Sequence, residues 1–493
     1  MPVSAGAKRR AAVVATRRMQ KLPLAQTLAL GLHYRAAQSG QTARTAMGAS
    51  ARRTPSADRR WPRIASQTLW RHAVGKRSMW IKVIVAALSA SAALVATACS
   101  SGQGGSSNGV GPITFASGKD LTGAMPQLLA MWNKLHPDQK VTFIELSASP
   151  DDQRNAFVQD LQAKSDRYDV MWDDVVWTSE FAARGWLAPL SKAEVGGRDV
   201  LPAAAATATY NGTMYGAPFM TNAQLLYYRS DLVPNPPTTW AQMEDDCKIA
   251  AAHQMTCYAG GQFAQYEGLT VNVAEAIDSA GGSILSPDGK TVTVDSPQAR
   301  AGLQHLVDLF HKGYVDSAAI TYQETQSANA FVSGKALFLT NWPYVYTAGS
   351  AKGSAIAGKF KMAPIPGQSG PGVSSLGGID LGVSAFSKHQ KTAEDFVAWM
   401  QSPSSQKILV SVMNQASVLG SIYSDPTLLK VSPYLPTLKQ ALLSANPRPK
   451  TPNYNAVTLA IQQNGYAALQ GKVSVDSAIT HMASALKRAI QQQ

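Results

Sequence analysis

Residues 168–190 read Tyr168-Asp-Val-Met-Trp-Asp-Asp-Val-Val-Trp-Thr-Ser-Glu-Phe-Ala-Ala-Arg-Gly-Trp-Leu-Ala-Pro-Leu190. Tyr168–Trp172 predicts a strand, and Phe181 to Gly185 closes a short helix. Upstream, Asp151 to Lys164 is amphipathic through Phe157, Val158 and Leu161, and Val141–Leu146 is a strand. Leu121 to His136 repeats apolar residues at helical spacing (Met125, Leu128, Leu129, Trp132), after a short strand at Gly111–Phe115. Strand and helix therefore alternate from 111 to 190, which predicts an α/β layer with a largely parallel sheet.

The same style continues downstream. Thr221–Arg229 predicts a strand leaving a loop. Pro236–Trp240 starts a helix with a threonine cap and Trp240 packing back. Gly281–Val294 predicts a hairpin turning at Pro287-Asp288-Gly289. Ser296–Lys312, Thr392–Gln401 and Ser474–Ile490 predict helices, and Lys335–Thr340 a buried strand.

The chain carries a formal net charge of +14, which taken alone suggests a nucleic-acid or membrane partner. Its distribution removes that reading. Residues 1–78 hold sixteen Lys and Arg against one acid, Asp58, so they carry +15 and the remaining chain −1. No nucleic-acid surface is expected of the main domain. Residues 1–78 are a disordered basic arm or stem from a start assigned too far upstream.

From Met79 the sequence runs Met-Trp-Ile-Lys-Val-Ile-Val-Ala-Ala-Leu-Ser-Ala-Ser-Ala-Ala-Leu-Val-Ala-Thr-Ala-Cys99. A short charged start, an apolar stretch and small residues make 79–98 a signal peptide. Cysteine directly after Ala96-Thr97-Ala98 makes it resemble a bacterial lipoprotein signal, in which the thiol is acylated. Residues 99–111, rich in Gly and Ser, then read as a flexible tether, placing the protein outside the cytoplasm on a lipid anchor. An uncleaved membrane helix and plain secretion are the alternatives. The remaining 395 residues suit two domains. Cys247 and Cys257 are open to pairing in an oxidising compartment, or to remaining buried thiols. No cysteine or histidine cluster has metal-ligand spacing, and no cofactor motif is present.

Several segments together resemble the sugar-binding lipoproteins and periplasmic proteins of ABC importers, especially the trehalose- and maltose-binding branch. They are Asp169–Leu190, Tyr215–Leu232 with the Pro-rich 234–240, Glu267–Thr270, Gly334–Tyr344 and Pro447–Tyr454. The resemblance covers roughly residues 112–490. It implies a maltose-binding-protein type of α/β fold, with two lobes and a ligand cleft between them. By analogy one lobe takes 112–218 plus 380–430 and the other 223–376 plus 434–493. The crossovers fall at Pro218–Asn222 and Leu376–Asp380, where Gly377 and Gly378 can absorb backbone change.

A neutral sugar needs carboxylates and amides for its hydroxyls and aromatic planes for its C–H faces. The Asp173-Asp174 pair beside Trp177 offers both, and Asp174 matches the family's ligand-contacting aspartate best. In an extended chain Asp173 points the other way, as a surface or capping residue. Asn222 is expected to face the cleft, and Glu267 to accept two hydroxyls. Trp342 and Tyr344 are expected to form the stacking platform, or else are core aromatics. Arg154 corresponds to a family arginine near the sugar, although mid-helix arginines are usually solvated. Asp120 sits at a strand-to-helix edge, as a ligand contact or a helix cap. Where trehalose-binding lipoproteins carry an arginine before Tyr-Ser-Asp-Pro, Leu419 falls nearest. A bidentate donor is absent there, which leaves the sugar open to other α-linked disaccharides or a short oligosaccharide.

The resemblance thus implies a monomeric, non-enzymatic receptor that takes a sugar and hands it to permease subunits in the membrane. The rival is a secreted glycoside hydrolase using Asp174 and Glu267 as its two carboxylates. Mass spectrometry of the mature protein is expected to find an acylated Cys99 at its N-terminus. A membrane-held protein yielding a peptide that spans Ala98–Cys99 would rule out that cleavage.

Overall fold

The alternation of strands and helices is present in the computed structural model, which describes residues 109–491 except 121, 122, 124 and 198. The signal segment, Cys99 and residues 1–78 lie outside the described residues. In order come β1 (Ile113–Ser117), α1 (Met125–Leu135), β2 (Val141–Glu145), α2 (Pro150–Gln162), β3 (Val170–Asp174) and α3 (Thr178–Ala183). Local chemistry sets the helix starts. Ser149 caps α2 by accepting the Asp152 N–H at 3.4 Å, Pro150 occupies the first helical position, and Asp151 and Asp152 complement the helix dipole. Gly109 and Gly111, at the end of the expected tether, bond to Thr392 through backbone groups.

Next come α4 (Lys192–Val195), α5 (Pro202–Thr207), β4 (Thr209–Tyr210), β5 (Thr213–Met214), β6 (Gly216–Asn222) and β7 (Leu225–Arg229). The single strand expected over 221–229 is thus two strands of different sheets. The break falls at Ala223-Gln224, where the Gln224 N–H leaves the ladder and donates to Ser374 Oγ at 2.8 Å. α6 (Trp240–Ala252) starts with the expected Thr239 cap, closed by Gln242 into a capping box, and Trp240 stacks on His305 at 4.0 Å. Then follow β8 (Thr256–Tyr258), α7 (Glu267–Ser279), α8 (Pro297–His311), α9 (Glu324–Val332), β9 (Ala336–Asn341), α10 (Val345–Ser350), β10 (Phe360–Ala363) and β11 (Ser375–Val383). The expected 281–294 hairpin reduces to one bridge, Leu285 to Val292, turning at Gly289 with φ +71°. The chain ends with α11 (Gln390–Met400), α12 (Pro403–Ser411), α13 (Pro426–Val431), α14 (Leu435–Ser444), β12 (Asn446–Pro447), α15 (Tyr454–Leu469) and α16 (Val475–Gln491).

Two larger sheets define two lobes. The first sheet runs β12-β11-β3-β1-β2, with β6 also paired to β11, and the second runs β10-β7-β9-β8. β1 pairs in parallel with β2 and β3, as the alternation predicts. The sheet as a whole is mixed, because β11 lies antiparallel to both β3 and β6. That is a correction to the largely parallel expectation. β11 enters from the other lobe, so it arrives from the opposite end of the sheet. All nine of its residues are buried, and it holds β12, β6 and β3 in turn along its length. Gly378, at φ +146°, lies so close to Met220 and Thr221 of β6 that no Cβ fits.

Each lobe has its own core. In the first, Phe115, Trp132, Phe219, Leu381 and Phe396 pack on one face of the sheet, and Phe157, Met171, Trp177 and Phe181 on the other. In the second, Phe263, Leu269, Leu303, Phe338 and Ile461 lie around α7 and α8. A further cluster reaches across from Val200 and Ala204 through Val418 and Leu419 to Leu225, Tyr227 and Leu339. In the second lobe Cys247 of α6 and Cys257 of β8 form a disulfide across ten residues. Closing a loop of that length is worth about 2–3 kcal/mol. Replacing both cysteines by alanine should cost that amount in urea unfolding, and an unchanged midpoint would show the bond to be energetically idle.

Candidate ligand-binding site

Asp174 ends β3 in the first lobe, and Glu267 begins α7 in the second. Both meet Arg448, which follows β12. Arg448 Nη2 donates to Asp174 Oδ1 at 2.7 Å, and Nη1 donates to Glu267 Oε1. The guanidinium is 2% exposed and its partners 16% and 5%, so the three charges sit largely out of water. Burial opposes the charged guanidinium, but the carboxylates of Asp174 and Glu267 help hold Arg448 protonated far above neutral pH. Glu267 is pushed up by burial, and Arg448 pulls it back. Its Oε1 also accepts from the Tyr454 hydroxyl and its Oε2 from Thr458 Oγ1 at 2.7 Å. Asp151, at the start of α2, faces the Glu267 backbone N–H, so the N-termini of α2 and α7 meet where the lobes do.

Beside this network lies a second group. Asn222 ends β6, pairs with Gly377 of β11, and donates from Nδ2 to Gln415 Oε1 at 3.2 Å. Trp342 follows β9, is partly exposed, and lays its ring against Gly377, where an added Cβ would come within 2.8 Å of the indole. The Trp342 carbonyl accepts from the Tyr227 hydroxyl at 2.8 Å, and its N–H donates to Asn341 Oδ1 at 2.7 Å, which fixes the backbone under the ring. An amide, a glycine and an aromatic plane thus share one place on the crossover strand.

Other residues singled out in the sequence go elsewhere. Asp173 points away from Asp174 and is fully buried inside the first lobe. Trp177 is 3% exposed and packs on Phe157 and Phe181 in that lobe's core. Arg154 reaches back to Glu180 at 2.6–2.7 Å, a buried carboxylate that also receives Arg184. Asp120 accepts the backbone N–H groups of Gly123 and Met125, the role of a helix cap. Tyr344 is half-buried against the cluster that crosses between the lobes. Gly378 serves the close approach of β11 and β6.

Sequence reading did not nominate Arg448, Tyr454, Thr458, Asp151 or Gln415. The signal for Arg448 was a lone cation between two prolines in a segment already conspicuous as Pro447–Tyr454. Its partners stand 274 and 181 residues away, beyond the reach of local pattern.

A family model described as bacterial extracellular solute-binding protein matches residues 117–407. A protein of Deinococcus radiodurans, described as a probable ABC transporter-binding protein, is 33% identical over 367 residues, covering 71% of this chain and 86% of its own. Maltose-bound T. maritima MalE3 superposes with a TM-score of 0.73 at 32% identity, over 76% of this chain and 99% of its own. The GacH receptor of Streptomyces glaucescens GLA.O, solved unliganded and with acarbose, gives 0.69 at 25% identity, over 78% and 99%. With its two lobes and its polar interface between them, the chain belongs to the bacterial extracellular solute-binding protein family.

Removing Arg448 would strand two buried carboxylates, which costs about 3–5 kcal/mol. Arg448→Met should show that loss in urea unfolding, and Arg448→Lys, with one ammonium in place of a two-pronged fork, an intermediate one. A methionine variant as stable as the parent would show that the two carboxylates do not depend on this cation.

Proposed function

We propose that the protein is the sugar receptor of an ABC importer. The observation that carries this is the convergence at one interface of Asp174 from the first lobe, Glu267 from the second, and Trp342 against Gly377 beside Asn222. Hydroxyls bond to the carboxylates and the amide, and the apolar sugar face stacks on the indole. Two similar structures, of MalE3 and GacH, hold maltose and acarbose, which supports an α-linked saccharide. Trehalose is the less favoured member of that class, because Leu419 replaces the bidentate donor of the trehalose-binding branch.

The lobes, taken as 112–218 plus 380–430 and 223–376 plus 434–493, close on the sugar by bending at Pro218–Asn222 and Leu376–Asp380. Contacts from both sides make the closed form the better binder, and that form meets the permease. The signal-like segment 79–98 and Cys99 support a diacyl anchor, whose two chains suffice for stable membrane attachment. A hydrolase would need Asp174 and Glu267 free on opposite sides of a glycosidic bond. Here one guanidinium lies between them and binds both, which favours capture over cleavage.

Titration calorimetry over maltose, trehalose, sucrose, maltodextrins, monosaccharides and a polyol tests the reading. One α-linked saccharide should bind, and at a hundredfold excess over its dissociation constant add about 2.7 kcal/mol to stability. Trp342→Ala should weaken that binding by tenfold or more, roughly the worth of one stacked ring. Glucose release on prolonged incubation with disaccharides, or no response to any sugar, would overturn the proposal.

A further inference from the structure

Asp173 and Asp380 are direct partners in the antiparallel register of β3 and β11. Opposed residues leave the same face of a sheet with their Cβ atoms about 5 Å apart. Both are buried, at 0% and 1% exposure. Asp380 Oδ2 accepts from Thr178 Oγ1 at 2.8 Å. Asp173 Oδ1, Asp173 Oδ2 and Asp380 Oδ1 receive no hydrogen bond from any described residue. Glycines make room for the two carboxyls. An added Cβ at Gly382 would overlap Asp173 Oδ2, and one at Gly216 would come within 2.7 Å of the Asp380 Cβ.

Two ionised carboxylates in this setting would be adjacent buried charges sharing a single donor, the Thr178 hydroxyl, an arrangement that proteins avoid. A carboxylic acid differs in kind, because its O–H is a donor. One proton between the two groups removes one charge and joins one orphaned oxygen of Asp173 to the orphaned oxygen of Asp380. The place is also mechanically particular. β11 shifts register against β6 between Ile379 and Asp380, next to Gly378, so the pair sits at the bulge of the crossover strand. Asp174, which follows Asp173, carries the Arg448 bond toward the second lobe.

We propose that Asp173 and Asp380 share one proton, and that this carboxyl pair pins β3 to the bulged crossover strand, so that the grip weakens as pH rises. The charges around the pair are few. Asp174 lies next to it on β3 and disfavours its ionisation. Lys450, whose ammonium bonds to the carbonyls of Ala206 and Thr209, favours it. Thr178 of α3 and Thr207 of α5 contribute hydroxyls only. Burial pushes Asp380 up to about 8 and Asp173 well above the usual carboxylate range. For acids raised in this way, stability is whole below the ordinary aspartate value and is lost as pH rises through the folded value. The window for Asp380 is therefore its ordinary 3.8 up to about 8.

Thermal unfolding of the purified full chain from about pH 6 to about pH 9 tests this against Asp380→Asn and Asp173→Asn, whose amide donates permanently without titrating. The parent should lose about 2 °C or more of Tm relative to each variant over that range. Infrared difference spectra of the parent against either variant should show a protonated carboxyl near neutral pH that disappears in alkali. That band needs no second variant, so it stands even if one substitution fails to fold. Equal pH slopes in parent and variants, or no such band, would overturn the proposal. So would a parent Tm raised by added calcium and lowered by chelator, since a bound cation would then stand in place of the proton.

Discussion

Arg448 is held by carboxylates that belong to different halves of the molecule. A guanidinium cannot shed its proton at any ordinary pH, so once buried it needs acids around it. Asp174 and Glu267 meet that need from β3 and α7, and Tyr454 and Thr458 also donate to Glu267, whose Oε2 keeps acceptor capacity beyond the Thr458 bond. The α15 helix that begins at Tyr454 packs against α7, and Tyr454 itself is buried with Phe157, Trp177 and Phe181 of the first lobe. One cation thus organises the end of a strand, the start of two helices and the meeting of two lobes. The residues proposed to read sugar hydroxyls are the same ones, so ligand and latch share a single polar interface.

The crossover strand carries a second constraint. β11 is wholly buried, pairs along its length with strands on both sides, and has glycine where an indole or a neighbouring backbone comes close. Gly377 admits the Trp342 ring, Gly378 admits β6, and Gly382 leaves room for Asp173. A strand so crowded tolerates polar groups only if they are paired. The carboxyls of Asp173 and Asp380 lie within that crowding, and the proposed shared proton makes the hold of β3 on β11 depend on pH.

Much of the fold was legible because it is local chemistry. Helical spacing placed α1, α2, α8 and α16 to within a few residues, and the Thr239 cap was readable from Pro236–Trp240. The split of 221–229 into two strands was not legible. Val, Leu and Tyr there favour strand regardless of which sheet they join, and only Ser374, reached through the chain's later course, draws the Gln224 N–H away. At the interface, Asp174, Asn222, Glu267 and Trp342 were readable as sugar-type chemistry in sequence. The structure sends Arg154 to Glu180 and Trp177 into the core against Phe157 and Phe181, because which side chains meet in the interior is a fact of packing, not of pattern.

The sequence by itself determined the α/β alternation, the concentration of basic charge in residues 1–78 with a near-neutral remainder, and which segments supply polar and aromatic groups, while the two-lobe form came from the family resemblance of those segments. Periodicity, capping residues and charge counts act over a few residues, so they can be read in one dimension. Only the tertiary structure decided that Arg448 bridges Asp174 and Glu267, and that Asp173 faces Asp380 instead of solvent. Charge pairing and desolvation depend on distance in space, and these partners lie between 181 and 274 residues apart along the chain, with Asp173 and Asp380 also in that range.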